Sequence, residues 1–146
     1  MKVVVQKVNK ANVIVNNKII NEIDNGLCLL VGFTQDDDIK DIEYMVKKVV
    51  NLRIFEDENN VMNKSVLDVG GKILSISQFT LYGDTKKGNR PSYIKALNGA
   101  IAVKLYDKFN ELLNEQIETK TGIFGADMIV NIVNNGPTTI IIDTKN

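Results

Sequence analysis

Two short stretches of the 146-residue chain carry residue types whose spacing suits chemistry on a bound substrate. Ser77-Gln78-Phe79-Thr80-Leu81 brings two hydroxyls and an amide to the end of a β-favouring run and leads straight into the turn Tyr82-Gly83-Asp84. Strand ends that open into loops are where binding and catalytic groups are commonly displayed. The same stretch also reads as an ordinary strand with Thr80 exposed. The second stretch is Asn135-Gly136-Pro137. Pro137 removes a ladder donor and restricts Gly136, yet the β-favouring run Thr138–Ile142 follows at once. It reads either as a hairpin turn between two final strands or as a rigid Gly-Pro unit presenting two carbonyl oxygens. An X-Pro bond takes the cis form at a cost of only about 0.5–1 kcal/mol, so either isomer is open to it.

The chemistry those stretches could perform is bounded by what the chain lacks. It has no histidine, so Ser-His and Cys-His dyads, imidazole general bases and the usual zinc sites are excluded. Thr80 as a nucleophile therefore has no evident base. The single cysteine, Cys28, lies in the apolar run Leu27–Val31 and reads as a small buried hydrophobe. No P-loop or dinucleotide fingerprint is present, and Gly70-Gly71 precedes a strand, so it reads as a turn. No cofactor and no metal are expected. Lys+Arg and Asp+Glu both total 18, which gives zero formal net charge. A protein that wraps a long nucleic-acid backbone is usually basic, so an RNA partner would be held over a small footprint and DNA is not expected. Lys86, Lys87 and Arg90, with Lys95 nearby, form the one dense basic group, which also reads as a solvated charge run. No apolar stretch approaches 18 residues and no signal-peptide core opens the chain, so a cytoplasmic protein without a membrane partner is expected.

The elements that must position these residues follow from periodicity. One domain spanning residues 1–146, 44% hydrophobic, is large enough to hold a core without disulfide or metal. Lys2–Val8 and Asn12–Val15 read as strands, Asn16-Asn17 as a tight turn into Lys18–Ile23, and Leu27–Phe33 as a strand buried on both faces, together a β meander. Asp36-Asp37-Asp38 offers helix-capping carboxylates ahead of Ile39, Ile42, Met45, Val46, Val49 and Val50 at helical spacing. Leu52–Phe55 and Lys72–Leu81 are predicted strands, with Ile73, Ser75, Ser77 and Phe79 sharing one face. A helix is predicted over Tyr93–Glu118, a loop over Thr119–Gly122, and two final strands over Asp127–Val133 and Thr138–Asp143. The fold class is α/β: two helices packed on a largely antiparallel or mixed sheet.

Ser77–Leu81 followed by Asn135-Gly136-Pro137-Thr138 resembles the two signature motifs of D-aminoacyl-tRNA deacylases. Arg53-Ile54-Phe55, Met62-Asn63, Gly88–Ser92 and Thr121–Met128 are similar to that family in order and spacing, so the likeness covers essentially the whole chain. It implies a barrel-like homodimer that hydrolyses the ester joining a D-amino acid to the terminal adenosine of tRNA, a proofreading activity extending to glycine mischarged on tRNA(Ala). It also implies a cis Gly136-Pro137 unit that reaches into the partner's pocket and rejects L-amino acids. Backbone N–H groups of Phe79 and Thr80 would stabilise the oxyanion, with the ribose 2′-OH as base. Phe124, Ala126 and Met128 would line the pocket, and Ser77 and Gln78 would hold the strand end. Lys7 departs from the arginine expected to orient the Gly-Pro unit, keeping the charge but losing the planar fork. Two other readings fit the residues: a non-catalytic tRNA- or nucleotide-binding module, and an esterase with Thr80 as nucleophile.

Overall fold

The computed structural model describes all of residues 1–146. Its elements in chain order are β1 (Lys2–Val15), β2 (Lys18–Ile23), β3 (Gly26–Gly32), α1 (Ile39–Asn51), β4 (Phe55–Glu56), β5 (Met62–Lys64), β6 (Lys72–Ser77), a 3-10 turn (Phe79–Tyr82), α2 (Gly99–Gln116), β7 (Thr119–Thr121) and β8 (Ile129–Asp143). Six strands form one sheet in the order β2-β1-β3-β6-β7, with β8 on the other side of β1. The pairs β3–β6 and β6–β7 are parallel and the rest antiparallel, so the sheet is mixed. It curls until β7 returns against β2, where Asn21 Nδ2 donates to the Thr121 carbonyl at 2.6 Å. The result is a nearly closed, barrel-like sheet.

Two cores hold it. On the outer face Val3, Val5, Leu27, Leu29 and Ile73 pack against Ile42, Met45 and Val49 of α1 and Phe109 and Leu113 of α2. On the inner face Val8, Ala11, Val13, Cys28, Leu74 and Ile76 pack together. β3 therefore buries both its faces, as its unbroken apolar run predicts. β1 feeds both cores because its pairing with β8 slips between Gln6 and Val8 and again between Val8 and Lys10. Odd-numbered Val3 and Val5 face the helices, whereas odd-numbered Ala11 and Val13 face inward, the reversal a bulge produces. Burial pushes the Cys28 thiol up to about 12, which leaves it inert.

The three aspartates before α1 divide their work. Asp38 caps the helix, accepting from Lys40 N at 2.9 Å, while the Asp41 side chain accepts from Asp38 N at 3.0 Å. Asp37 is instead buried and binds the Met1 α-amino group at 2.5 Å. The Asn16-Asn17 hairpin holds as predicted, with φ of 49° and 63° at the two asparagines.

Several element boundaries differ from the sequence-based expectation, each for a pairing reason. The first three strands are not a meander: β3 returns to the first half of β1 and not to β2. Lys2–Val15 is one strand because β8 pairs along its whole length. The predicted Leu52–Phe55 strand shrinks to Phe55–Glu56, paired only with β5. Residues 119–121, predicted as loop, form a strand because β6 offers them a parallel edge. The second helix starts at Gly99, not Tyr93, since backbone groups of residues 94–97 bond to residues 33–35: Thr34 Oγ1 donates to Lys95 O and Leu97 N to Phe33 O. Asn98 then caps it, its side chain accepting from Ala100 N at 2.9 Å.

Candidate functional site

Because β3 and β6 run parallel, their carboxyl ends open on the same edge of the sheet, which is where ligands sit in sheets of this kind. Val31 opposite Ser77 is the last pair, and Gln78 N donates to Val31 O at 2.7 Å beyond it. The predicted strand Lys72–Leu81 stops there and Phe79–Tyr82 turns away as a 3-10 segment. A cavity of about 460 Å³ opens at this edge. Ser77, Gln78, Phe79, Phe124, Ala126 and Met128 all line it, so six of the expected site residues come together from two distant segments. Thr80 lies just outside the lining, on the exposed turn.

The N–H groups of Phe79 and Thr80 begin the 3-10 turn, where no earlier carbonyl of the turn can reach them, and no side chain caps it. They stand uncapped by any side chain at the lip of the cavity. The Thr80 hydroxyl accepts a short hydrogen bond from Gln78 Nε2. The chain has no histidine to serve that hydroxyl as a base, and its neighbour Gln78 presents a donor, not a base. The turn can sit this close to β3 because residue 32 is glycine: a Cβ there would lie 3.0 Å from Gln78 O.

Residues that the sequence reading missed complete the cavity: Gly32 and Phe33 at the end of β3, Leu97, Gly99 and Ala102 around the start of α2, and Asp127 between two expected residues. The β3 residues were findable only by knowing that β3 and β6 are parallel neighbours. Tyr106 supports the site from behind. Its hydroxyl donates to Ser75 O at 2.7 Å, tying α2 to β6 two residues before Ser77, and its ring packs 5.7 Å from that of Phe124. Burial raises its phenol above the ordinary range. At spacing i, i+3 and i+7 with Phe109 and Leu113, Tyr106 reads from sequence as plain core.

Asn135-Gly136-Pro137 is not a hairpin turn. The segments on either side pair with the same strand, Gln6 with Thr139 and Val8 with Asn134, so residues 135–138 bulge out opposite Lys7. The Gly136-Pro137 peptide is cis, Gly136 has φ of +115°, and both residues are exposed. Asn134 Nδ2 ties down the base of the bulge, donating to Lys7 O and Thr138 O at 3.0 Å each. The buried Lys7 side chain does not reach the bulge by any hydrogen bond. Its ammonium lies over the Phe55 ring, 5.8 Å from the centroid, so in this chain the asparagine and the Lys7 carbonyl do the orienting. Neither Gly136 nor Pro137 lines the cavity.

The basic residues form a separate feature. Asp84 and Ser92 exchange backbone bonds of 2.8 and 2.9 Å, closing residues 85–91 into a loop on which Lys86, Lys87 and Arg90 are exposed. Lys86 and Lys95 line a second hollow of about 280 Å³ with Lys2 and Tyr82, beside the 3-10 turn. Lys95 is paired to Asp84 at 3.6 Å. Phe79, which lines the first cavity, packs edge to face with Tyr93 at 5.1 Å, and both rings are exposed. No group of acidic, cysteine or histidine side chains suited to a metal ion is present, and no helix is long and apolar enough to cross a membrane.

Comparison with known proteins places this geometry. The family model described as D-Tyr-tRNA(Tyr) deacylase matches residues 4–143. A D-aminoacyl-tRNA deacylase of Clostridium novyi (strain NT) is 55% identical over 146 residues, covering 99% of this chain and 98% of the relative. Among solved structures, a c-Myc DNA unwinding element binding protein superposes with a TM-score of 0.94 at 42% identity, covering 99% of both chains. A probable eukaryotic D-amino acid tRNA deacylase shares the fold with a TM-score of 0.83 at 17% identity, covering 97% of both chains. A match along nearly the whole length, on a chain whose signature residues meet in one cavity, is decisive: the chain belongs to the D-Tyr-tRNA(Tyr) deacylase family.

Proposed function

We propose that this hydrolase cleaves the ester between a D-amino acid and the terminal ribose of tRNA, releasing both. The observation that carries the reading is the pair of uncapped N–H groups, Phe79 and Thr80, at the lip of the 460 Å³ cavity. An aminoacyl ester is already activated, so hydrolysis needs little beyond stabilisation of the oxyanion. Single donors of that kind are typically worth about 10²–10³ in rate. The base is the ribose 2′-OH of the substrate. Thr80 is not the nucleophile in this reading, which is supported by the lack of any histidine and by the Gln78 amide on its hydroxyl.

Chirality is read by backbone. Gly136 and Pro137, raised on the bulge, crowd the side on which an L side chain would project, and their carbonyls accept from the substrate's amino end. Glycine has no side chain to clash, so glycyl-tRNA(Ala) is also a substrate. Since the bulge lies away from its own cavity, it serves the cavity of a second copy. The outer edge of β8, unpaired over 15 residues and carrying exposed Ile129, Val133 and Ile141, is the surface a homodimer would cover. Lys86, Lys87, Arg90 and Lys95 meet the phosphates of the tRNA 3′ end, consistent with a small basic footprint on a neutral protein.

The test is deacylation of paired D- and L-tyrosyl-tRNA and of glycyl-tRNA(Ala). Release of D-tyrosine and glycine with the L-ester intact is expected; equal hydrolysis of both enantiomers refutes the chirality filter, and tRNA binding without any cleavage refutes the enzyme.

A further inference from the structure

The sixteen residues lining the 460 Å³ cavity include one ionisable side chain, Asp127. It is exposed at the cavity and forms no ion pair with any lysine or arginine of the chain. Other aspartates of the chain have structural work. Asp38 caps α1, Asp57 gathers the backbone N–H groups of Asn59 and Val61, and Asp84 takes Lys86 N and Lys95. Asp127 is left with an uncompensated charge in a lining that is otherwise apolar or neutral.

A negative charge there is wrong for the phosphates of a nucleic acid and wrong for a developing oxyanion. It suits a cation. The proposed substrate carries one near the scissile ester: the α-amino group, largely protonated at neutral pH with an ordinary pKa of about 7.7–8.0. Placing an ammonium among Val31, Phe33, Phe124 and Met128 without a counter-charge would sacrifice its hydration. The carbonyls of Gly136 and Pro137 can accept its hydrogen bonds but carry no formal charge.

We infer that Asp127 is a substrate-binding residue whose carboxylate holds the α-ammonium of the aminoacyl ester at the cavity. This rests on the deacylase reading and extends it to a residue that selects for a free, charged amino group. Ala126 and Met128, on either side of it, line the same cavity, so the ammonium contact orients the amino acid as a whole relative to Phe79 and Thr80. Esters of 2-hydroxy acids, or aminoacyl-tRNA whose amino group is blocked, would be poor ligands.

The test is binding of two non-hydrolysable adenosine analogues, with D-tyrosine joined through a 3′-amide and with the matching 2-hydroxy acid, whose hydroxyl is similar in size but neutral. The wild-type protein should prefer the ammonium analogue by about tenfold, the effect of one hydrogen bond to a charged group. Asp127→Asn should bind the two alike, and Asp127→Glu should recover part of the preference, each with an unchanged melting temperature because the side chain is exposed. Equal binding by the wild-type protein, or full preference retained by Asp127→Asn, overturns the inference while leaving deacylation standing. Failure of both analogues to bind at all overturns it together with the deacylase reading.

Discussion

Gly32→Ala probes the link between the fold and the proposed oxyanion donors. The added Cβ would lie 3.0 Å from Gln78 O, 3.3 Å from Leu81 Cβ and 3.4 Å from the Tyr82 ring. The nearest of these is backbone, and Gln78 O is also the acceptor for Leu81 N that opens the 3-10 turn, at 3.3 Å. The turn must therefore back away by a few tenths of an ångström, carrying the Phe79 and Thr80 N–H groups with it. Misplacement by 1 Å costs on the order of 10²-fold in rate, so a shift of this size should cost about tenfold in the chemical step. Overpacking costs typically about 1–3 kcal/mol, and the low end applies because no residue of the turn is buried. About 1 kcal/mol corresponds to a melting temperature lower by about 4 °C in a chain this long. Single-turnover deacylation of D-tyrosyl-tRNA at saturating enzyme isolates the step, and a thermal melt reads the stability. An unchanged rate in a variant that does lose stability would refute the role given to these donors. A loss seen only in tRNA affinity would show that Gly32 shapes the pocket and not the oxyanion site.

Thr80→Ala should retain most of the deacylase rate, since only the backbone N–H is used; complete loss in a folded variant makes the hydroxyl the nucleophile. Asn134→Ala removes two hydrogen bonds of 3.0 Å at the base of the bulge, worth about 1 kcal/mol each. It should lower the ratio of D- to L-tyrosyl-tRNA hydrolysis by about tenfold, and an unchanged ratio would separate the bulge from chirality. Asp41 has a pKa of about 2: burial acts to raise it, but hydrogen bonds from Thr144, the Asp38 backbone and Lys145 outweigh that. A lowered folded-state pKa stabilises the fold above the unfolded value of 3.8 and ceases to do so as pH falls to about 2. Asp41→Asn should therefore be less stable than the wild-type protein near neutral pH and equal to it near pH 2, as urea unfolding at the two pH values would show.

The sequence legibly carried what is local or compositional. The absence of histidine excluded whole mechanisms, and the 3.6-residue spacing of Ile42, Met45, Val46 and Val49 marked α1. Asp38 was visible as a helix cap, whereas the Asn98 cap lay hidden inside a helix predicted to start at Tyr93, because the contacts that keep residues 94–97 out of the helix are long-range. The unbroken run Leu27–Val31 announced a doubly buried strand. The signature residues Ser77–Phe79 and Phe124–Met128 were identified by resemblance, and the cavity they share confirms that they meet. What local pattern could not supply was pairing, because β contacts join residues far apart in the chain and every register obeys the same alternation. Only the assembled sheet made β3 and β6 parallel neighbours, brought Gly32 and Phe33 to the site, and recruited Thr119–Thr121 as a strand. The same assembly stretched β8 across Asn135–Thr138, which decided between the two readings of that segment in favour of a raised Gly-Pro unit, a bulge opposite Lys7. Residue types and motifs determined the available chemistry; long-range backbone pairing decided where each group stands, since a hydrogen bond between distant strands leaves no trace in either strand alone.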